Sequence, residues 1–236
     1  MSSGPLPVLA RRRFLALGGA GAAGLIIAGC GEEEQAQPPS PVQQPMQGAD
    51  VTLDFAQTTD VLNYALALES LEAAFYAMAV KELYSGASDE ERMILEDIGA
   101  HERVHREFLT QVLGDDAVQG LEVDFSQVDF ANRQSVLGTA KTFENLGVGA
   151  YNGAAKFLAA NAQEDLALTA LMAAGDIVSV EARHASVIAA QLEPGQDGEF
   201  APNAFDKALP PEQVLEAAQP FIRQRLAATN TNVQGG

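Results

Sequence analysis

From Thr59 to Leu83 the positions Leu62, Leu66, Glu69, Ala73, Tyr76 and Val80 recur at a period near 3.6 residues, which predicts a helix with one inward face. A short turn from Tyr84 to Ser88 follows, and Ser88 with Glu91 three residues on has the form of a capping box that opens a second helix. That helix is expected to run to about Leu113, with Leu95, Ile98, Glu102, His105, Leu109 and Val112 on its stripe, and Gly114-Asp115 ends it. A third helix is predicted from about Asn132 to Ala160 on Leu137, Glu144, Tyr151 and Leu158. A fourth runs from Asp165 to Gln191 on Ala170, Ile177, Glu181, His184 and Ile188. All four stripes hold acidic, imidazole or phenol groups where a plain bundle would place leucine.

Connection lengths set the topology. Short turns make the first two helices and the last two antiparallel hairpins. Between the hairpins, Asp115 to Ala131 lacks a helical period, and at ~3.3 Å per residue it reaches ~55 Å, more than the ~37 Å of a 25-residue helix. The expected fold is therefore all-α, a four-helix bundle with one long crossover. Composition agrees: 47% of residues are hydrophobic, Trp is absent, and Ala, Leu, Glu and Gln are abundant. The third helix carries Gly138, Gly147, Gly149 and Gly153, each unfavourable by roughly 1 kcal/mol relative to Ala, which points to close packing or to space beside the polar stripe. Beyond the bundle, Pro210-Pro211 starts a short helix that Pro220 interrupts, with Val214, Leu215, Phe221, Ile222 and Leu226 available to dock as a cover.

The polar residues in the stripes form a repeat. Glu69, Tyr76, Glu102 and His105 are matched in order by Glu144, Tyr151, Glu181 and His184, and two of the chain's three histidines fall at equivalent places. Within Glu-x-x-His the side chains lie on one helix face at neighbouring levels, so both can bind one cation. Isolated carboxylates are costly to bury unless paired, protonated or bound to metal. Four buried Glu with two His cannot neutralise one another, whereas two divalent cations balance four carboxylates. Oxygen and imidazole donors suit Fe or Mn better than thiolate-seeking metals, although Zn would also bind. Seven residues make nearly two turns, so each Tyr shares a face with its Glu; it can donate to a ligand carboxylate or fill core space. Glu72 could be an alternative ligand, but its repeat partner is Gly147, which favours a supporting or outward role. His101 has Val180 as its counterpart and reads as a surface histidine. Asp97 and Asp176 lie too far along their helices to reach the cations.

The N-terminal segment has a different character. Arg11-Arg12-Arg13-Phe14-Leu15 leads into an apolar stretch ending Ile27-Ala28-Gly29-Cys30, too short for a membrane span and ordered like an export signal. Arg-Arg-x-Phe-Leu resembles the twin-arginine signal and Ile-Ala-Gly-Cys the lipobox of bacterial lipoproteins. Cys30, the only cysteine, is then free to carry a lipid. The resulting organisation is a signal over 1–29, a Pro- and Gln-rich flexible tether over 30–54, the bundle over 55–192 and an extension over 193–236. Net charge is −18, and loss of residues 1–29, which hold three Arg and no acid, makes it more negative still. Nucleic acid is excluded as a partner by this charge.

Together these residues resemble the ferritin-like superfamily of di-iron and di-manganese carboxylate proteins, in which the first and third helices each give one Glu and the second and fourth each give Glu-x-x-His. The resemblance covers about residues 55 to 192. It implies Glu69, Glu102, His105, Glu144, Glu181 and His184 as ligands to two metal ions, Fe or Mn, with Tyr76 and Tyr151 supporting them. Leu68-Glu69-x-x-Glu72-x-x-Phe75-Tyr76 and Phe200-Ala201-Pro202-Asn203-Ala204-Phe205 are similar to exported bacterial members related to desiccation-associated proteins. The implied activity is oxidoreduction of dioxygen, peroxide or Fe(II) at the cell envelope, ferroxidase or catalase-like; the competing expectation is a metal-binding or stress-protective protein without turnover. The chain lacks the paired cysteines of rubrerythrins, and a lipid anchor suits a storage cage poorly. Expected partners are the twin-arginine export machinery and a membrane, with the protein facing the periplasm or cell exterior. A homodimer through the C-terminal segment is left open.

Overall fold

The computed structural model describes residues 51–192 and 201–232; the expected export signal and most of the tether, with Arg11, Arg12 and Cys30, lie outside them. The elements are β1 (Val51–Asp54), α1 (Thr58–Lys81), α2 (Asp89–Leu113), α3 (Arg133–Ala160), α4 (Asp165–Leu192), α5 (Pro211–Ala218) and β2 (Leu226–Thr229). The four long helices fall within two residues of their expected limits. Ser88 Oγ accepts from the Glu91 N–H at 3.0 Å, and Glu91 Oε2 accepts from the Ser88 N–H at 3.0 Å, closing the capping box of α2. Asn132 Oδ1 accepts from the Ser135 N–H at 3.1 Å and caps α3. No helix among the described residues is long and apolar enough to cross a membrane.

Arg133 shows where the crossover arrives. Its Nε donates to Glu91 Oε1 at 2.6 Å and its Nη2 to the Gln191 carbonyl at 2.5 Å. The start of α3 therefore sits beside the start of α2 and the end of α4, and residues 114–132 travel the length of the bundle. Asn63 pins the beginning of that path: its Nδ2 donates to the Asp116 carbonyl at 2.9 Å, and its Oδ1 accepts from the Val118 N–H at 2.7 Å.

The single inward face expected for α1 is too modest. Val61 through Glu69 are all buried, and Leu71, Glu72, Ala73, Phe75, Tyr76 and Ala79 continue the burial beyond one stripe. The crossover and the C-terminal segment cover the side that a four-helix bundle alone would leave wet. Phe75 contacts Phe125 and Phe130 of the crossover, with ring centroids 5.9 Å away in each case, and Phe143 of α3 at 5.2 Å. Phe143 in turn meets Phe221 edge-on at 4.8 Å.

The tether expected to reach residue 54 ends earlier, because Val51–Asp54 pair in parallel with Leu226–Thr229. Four residues with a partner far along the chain carry no local strand signal. The extension is correspondingly more than a short helix. Besides α5, with Val214 and Leu215 buried, it contributes β2 and a bridge from Ile222 to Val123 of the crossover.

Two of the α3 glycines serve close packing of this extension. The Leu209 N–H donates to the Gly149 carbonyl at 2.9 Å, and a Cβ on Gly153 would collide with the Leu209 backbone carbonyl. Gly138 has nothing within 4 Å of where its Cβ would stand. Gly153→Ala is predicted to destabilise the chain by about 1–3 kcal/mol through overpacking. Gly138→Ala should be neutral or stabilising by up to ~1 kcal/mol. Urea unfolding of the two variants measures both, and equal midpoints would contradict the packing assignment.

Candidate metal centre

Six side chains converge at mid-bundle: Glu69 from α1, Glu102 and His105 from α2, Glu144 from α3, and Glu181 and His184 from α4, each no more than 9% exposed. His105 Nδ1 lies 3.3 Å from Glu69 Oε2, 3.1 Å from Glu102 Oε2 and 3.3 Å from Glu181 Oε1. His184 Nδ1 lies 2.8 Å from Glu102 Oε1 and 3.2 Å from Glu144 Oε2. The donors form two overlapping sets, Glu69–Glu102–His105–Glu181 and Glu102–Glu144–Glu181–His184, each with its ligand atoms within 4.8 Å of one another. Glu102 and Glu181 belong to both sets and stand between the two imidazoles.

The tyrosines are wired crosswise. Tyr151 of α3 donates to Glu69 Oε1 of α1 at 2.5 Å, and Tyr76 of α1 donates to Glu144 Oε1 of α3. Each phenol therefore holds the glutamate of the opposite helix, not the one seven residues back on its own. The second oxygen of each glutamate is left to face a histidine. Burial, reinforced by the neighbouring carboxylates, pushes both phenols well above their usual range and keeps them donors.

Glu72 points inward, which excludes the outward role. It is 3% exposed, and its Oε1 lies 3.3 Å from where a Cβ on Gly147 would stand. The same Cβ would come within 2.6 Å of Glu181 Oε2. The missing side chain at Gly147 thus makes room for two carboxylates, so this glycine opens space beside the site. His101 lies at the surface as expected, but it also touches the site. Its Nδ1 lies 2.9 Å from Nε2 of His184.

Five buried carboxylates, Glu69, Glu72, Glu102, Glu144 and Glu181, now face two imidazoles. Three oxygens approach His105 Nδ1, which has at most one proton to give. Glu72 Oε2 and Glu181 Oε2 have no hydrogen-bond partner, and Glu69 Oε2, Glu181 Oε1 and Glu102 Oε1 have only a histidine Nδ1 that each shares with other carboxylates. Buried oxygens without donors are costly, and a cation between the imidazole nitrogens and these oxygens would satisfy several at once. The residues present fit metal binding. Without metal, burial alone would lower both imidazoles, but hydrogen bonding with Glu102, Glu181 and Glu69 pushes His105 up to about 12, and with Glu102 and Glu144 pushes His184 up to about 10. Burial would raise Glu102, yet His105 and His184 hold it at about 2. Burial leaves Glu69 raised to about 7, and it is the chief cause of the upward shifts of Glu72, Glu144 and Glu181.

The sequence model of the family described as "Ferritin-like domain" matches residues 57–194. The chain belongs to this ferritin-like family. No curated protein gives a match. In this ferritin-like domain an open groove of about 460 Å³ runs along the seam between α2 and α4, lined by His101, His105 and His184 with Asp97, Arg183 and the apolar Ile98, Val180 and Val187. Further along the bundle, toward the starts of α1 and α4 and the ends of α2 and α3, an apolar cavity of about 20 Å³ is bounded by Leu68, Leu109, Tyr151 and Ile177. Asp97 and Asp176 are exposed.

Sequence periodicity assigned the six candidate ligands to inward faces but could not reveal that His101 reaches His184, or which of the four α3 glycines makes room beside the site. The available signal was the break in the repeat: His101 stands opposite Val180, and Gly147 opposite Glu72.

The metal-free ferritin-like domain is predicted to be most stable near pH 4.5. Below it, protonation of Glu102, ordinarily at 4.5 and here at about 2, removes stability. Above it, the raised carboxyl of Glu69 loses its proton at a cost up to about 7, and His105 and His184 lose theirs between 6.5 and about 12 and 10. Thermal melts from pH 3 to 9 should show this fall on both sides. Mn(II) at a hundredfold excess over Kd should restore about 2.7 kcal/mol on the alkaline side. A flat profile would contradict the electrostatic account.

Proposed function

We propose that this chain is an exported, lipid-anchored ferritin-like protein with a dinuclear Fe or Mn centre that carries out oxidoreduction of dioxygen, peroxide or Fe(II) at the cell envelope. The observation that carries the reading is the convergence of three carboxylate oxygens on the single proton of His105 Nδ1, repeated in pared-down form at His184. One proton cannot serve three acceptors, whereas a cation can.

Fe or Mn bound there would supply one-electron redox chemistry at each of two neighbouring ions. The chain's own residues hold and orient. Glu69 and Glu144 are fixed by the crosswise tyrosines, Glu102 and Glu181 span both positions, and the imidazoles present Nδ1 inward. Glu72 adds a fifth carboxyl against Gly147, and the upward shift from its burial favours the neutral form. The α2–α4 groove is wide enough to admit peroxide or Fe(II) to the histidines, while the apolar cavity has room only for a molecule about the size of dioxygen or water. Export is read from Arg11 and Arg12, and anchoring from Cys30.

Protein matured in its native host is expected to carry about two Fe or Mn per chain and to turn over hydrogen peroxide or Fe(II). Glu102→Ala, which removes a donor from both sets, should lower metal content below one per chain and turnover by roughly 100-fold or more. Stoichiometric metal with no turnover of either reactant would favour the metal-binding or protective reading, and purified chain without metal whose stability Glu144→Ala leaves unchanged would overturn the metal site.

A further inference from the structure

We propose that His101 is a positioning residue for His184, and that it makes the cation position at His184 the stronger of the two. The inference rests on the metal-binding reading above and concerns how this chain tunes one half of the site.

The contact is built for a hydrogen bond. Nδ1 of His101 lies 2.9 Å from Nε2 of His184, and the two rings are within 8° of parallel. Their centroids are 5.1 Å apart, about as far as two rings joined by such a contact can be, so the contact runs along the plane of both rings. That alignment points a lone pair of one nitrogen at the N–H of the other.

His184 turns its other nitrogen, Nδ1, toward Glu102 and Glu144. To offer a lone pair there to a cation, a neutral imidazole must carry its proton on Nε2. His101 Nδ1 is the acceptor that holds the proton in that place, and its own N–H is then on Nε2. The bond fixes both the tautomer of His184 and its ring orientation, and it raises the basicity of the nitrogen facing the site.

No equivalent exists in the other half of the repeat. Val180 occupies the place corresponding to His101, lines the same groove as His105, and has no acceptor to offer. The two halves share Glu102 and Glu181, and the His101 contact acts on one imidazole and not the other. The pseudo-symmetric site is therefore electronically unequal, with His184 presented ready to bind and His105 not held in this way.

The test is titration of the metal-free, full-length chain with Co(II), followed by calorimetry, visible absorption and proton NMR of the hyperfine-shifted imidazole N–H signals. Wild type should bind in two resolved steps, with a slowly exchanging N–H signal from His184 appearing in the first. His101→Val should weaken the first step by roughly 10–100-fold, leave the second within about threefold, and abolish the protection of that signal. His101→Gln, whose amide oxygen can accept, should recover most of the loss. Val180→His should tighten the second step. An unchanged thermal midpoint of metal-free His101→Val, expected for an exposed side chain, separates positioning from folding. Equal weakening of both steps, or no weakening with the N–H signal still protected, would overturn the proposal while leaving the metal site standing. If wild type binds no Co(II), the metal-binding reading falls and this inference falls with it.

Discussion

Five carboxyl groups and two imidazoles are enclosed among four helices, and the cost of burying that much negative charge is the constraint on which the rest of the structure depends. Each glutamate is held in a particular way. Glu69 and Glu144 each receive a phenol proton, Glu102 lies between the histidines, and Glu181 leans into the space left by Gly147. The arrangement leaves oxygens over that no protein donor reaches. A fold of marginal stability does not retain such a cluster for packing, because leucines at these positions would fill the core at less cost. The donor set suits cations.

The jacket around the bundle follows from the same constraint. A bare four-helix bundle would expose the outer side of α1, within a few ångströms of Glu69 and Glu72. Here the crossover, α5 and the paired strands β1 and β2 enclose it, and α1 is buried nearly all round. Water is kept from the carboxylates on that side, which strengthens every interaction among them. On the opposite side the α2–α4 seam stays open over the histidines. The domain is thus closed along α1 and open at the α2–α4 seam.

Much of this was readable in the chain. Spacing near 3.6 placed the four helices, and the doubled Glu…Tyr…Glu-x-x-His order placed six ligand candidates on inward faces. A helical period describes one helix at a time, however. It put Tyr76 on the face of Glu69 and could not show that the phenol crosses to Glu144, since that choice depends on how α1 and α3 pack. The β1–β2 pair was illegible for a related reason: four residues gain a strand only from a partner more than 170 positions away. His101 looked like a surface residue and is one, but a side chain can be exposed on one edge and bonded to the site on the other. The repeat's two defects, Glu72 against Gly147 and His101 against Val180, mark where the halves have diverged in chemistry.

The claim that the buried carboxylates exist to hold two neighbouring cations is tested most directly by anomalous diffraction at the Fe and Mn edges from crystals of the mature protein loaded with each metal. The account predicts two peaks about 3.5–4 Å apart, one bonded to His105 Nδ1 and Glu69, the other to His184 Nδ1 and Glu144, with Glu102 and Glu181 reaching both. A single peak outside this cluster, or no peak with the five carboxyls unchanged, would contradict it.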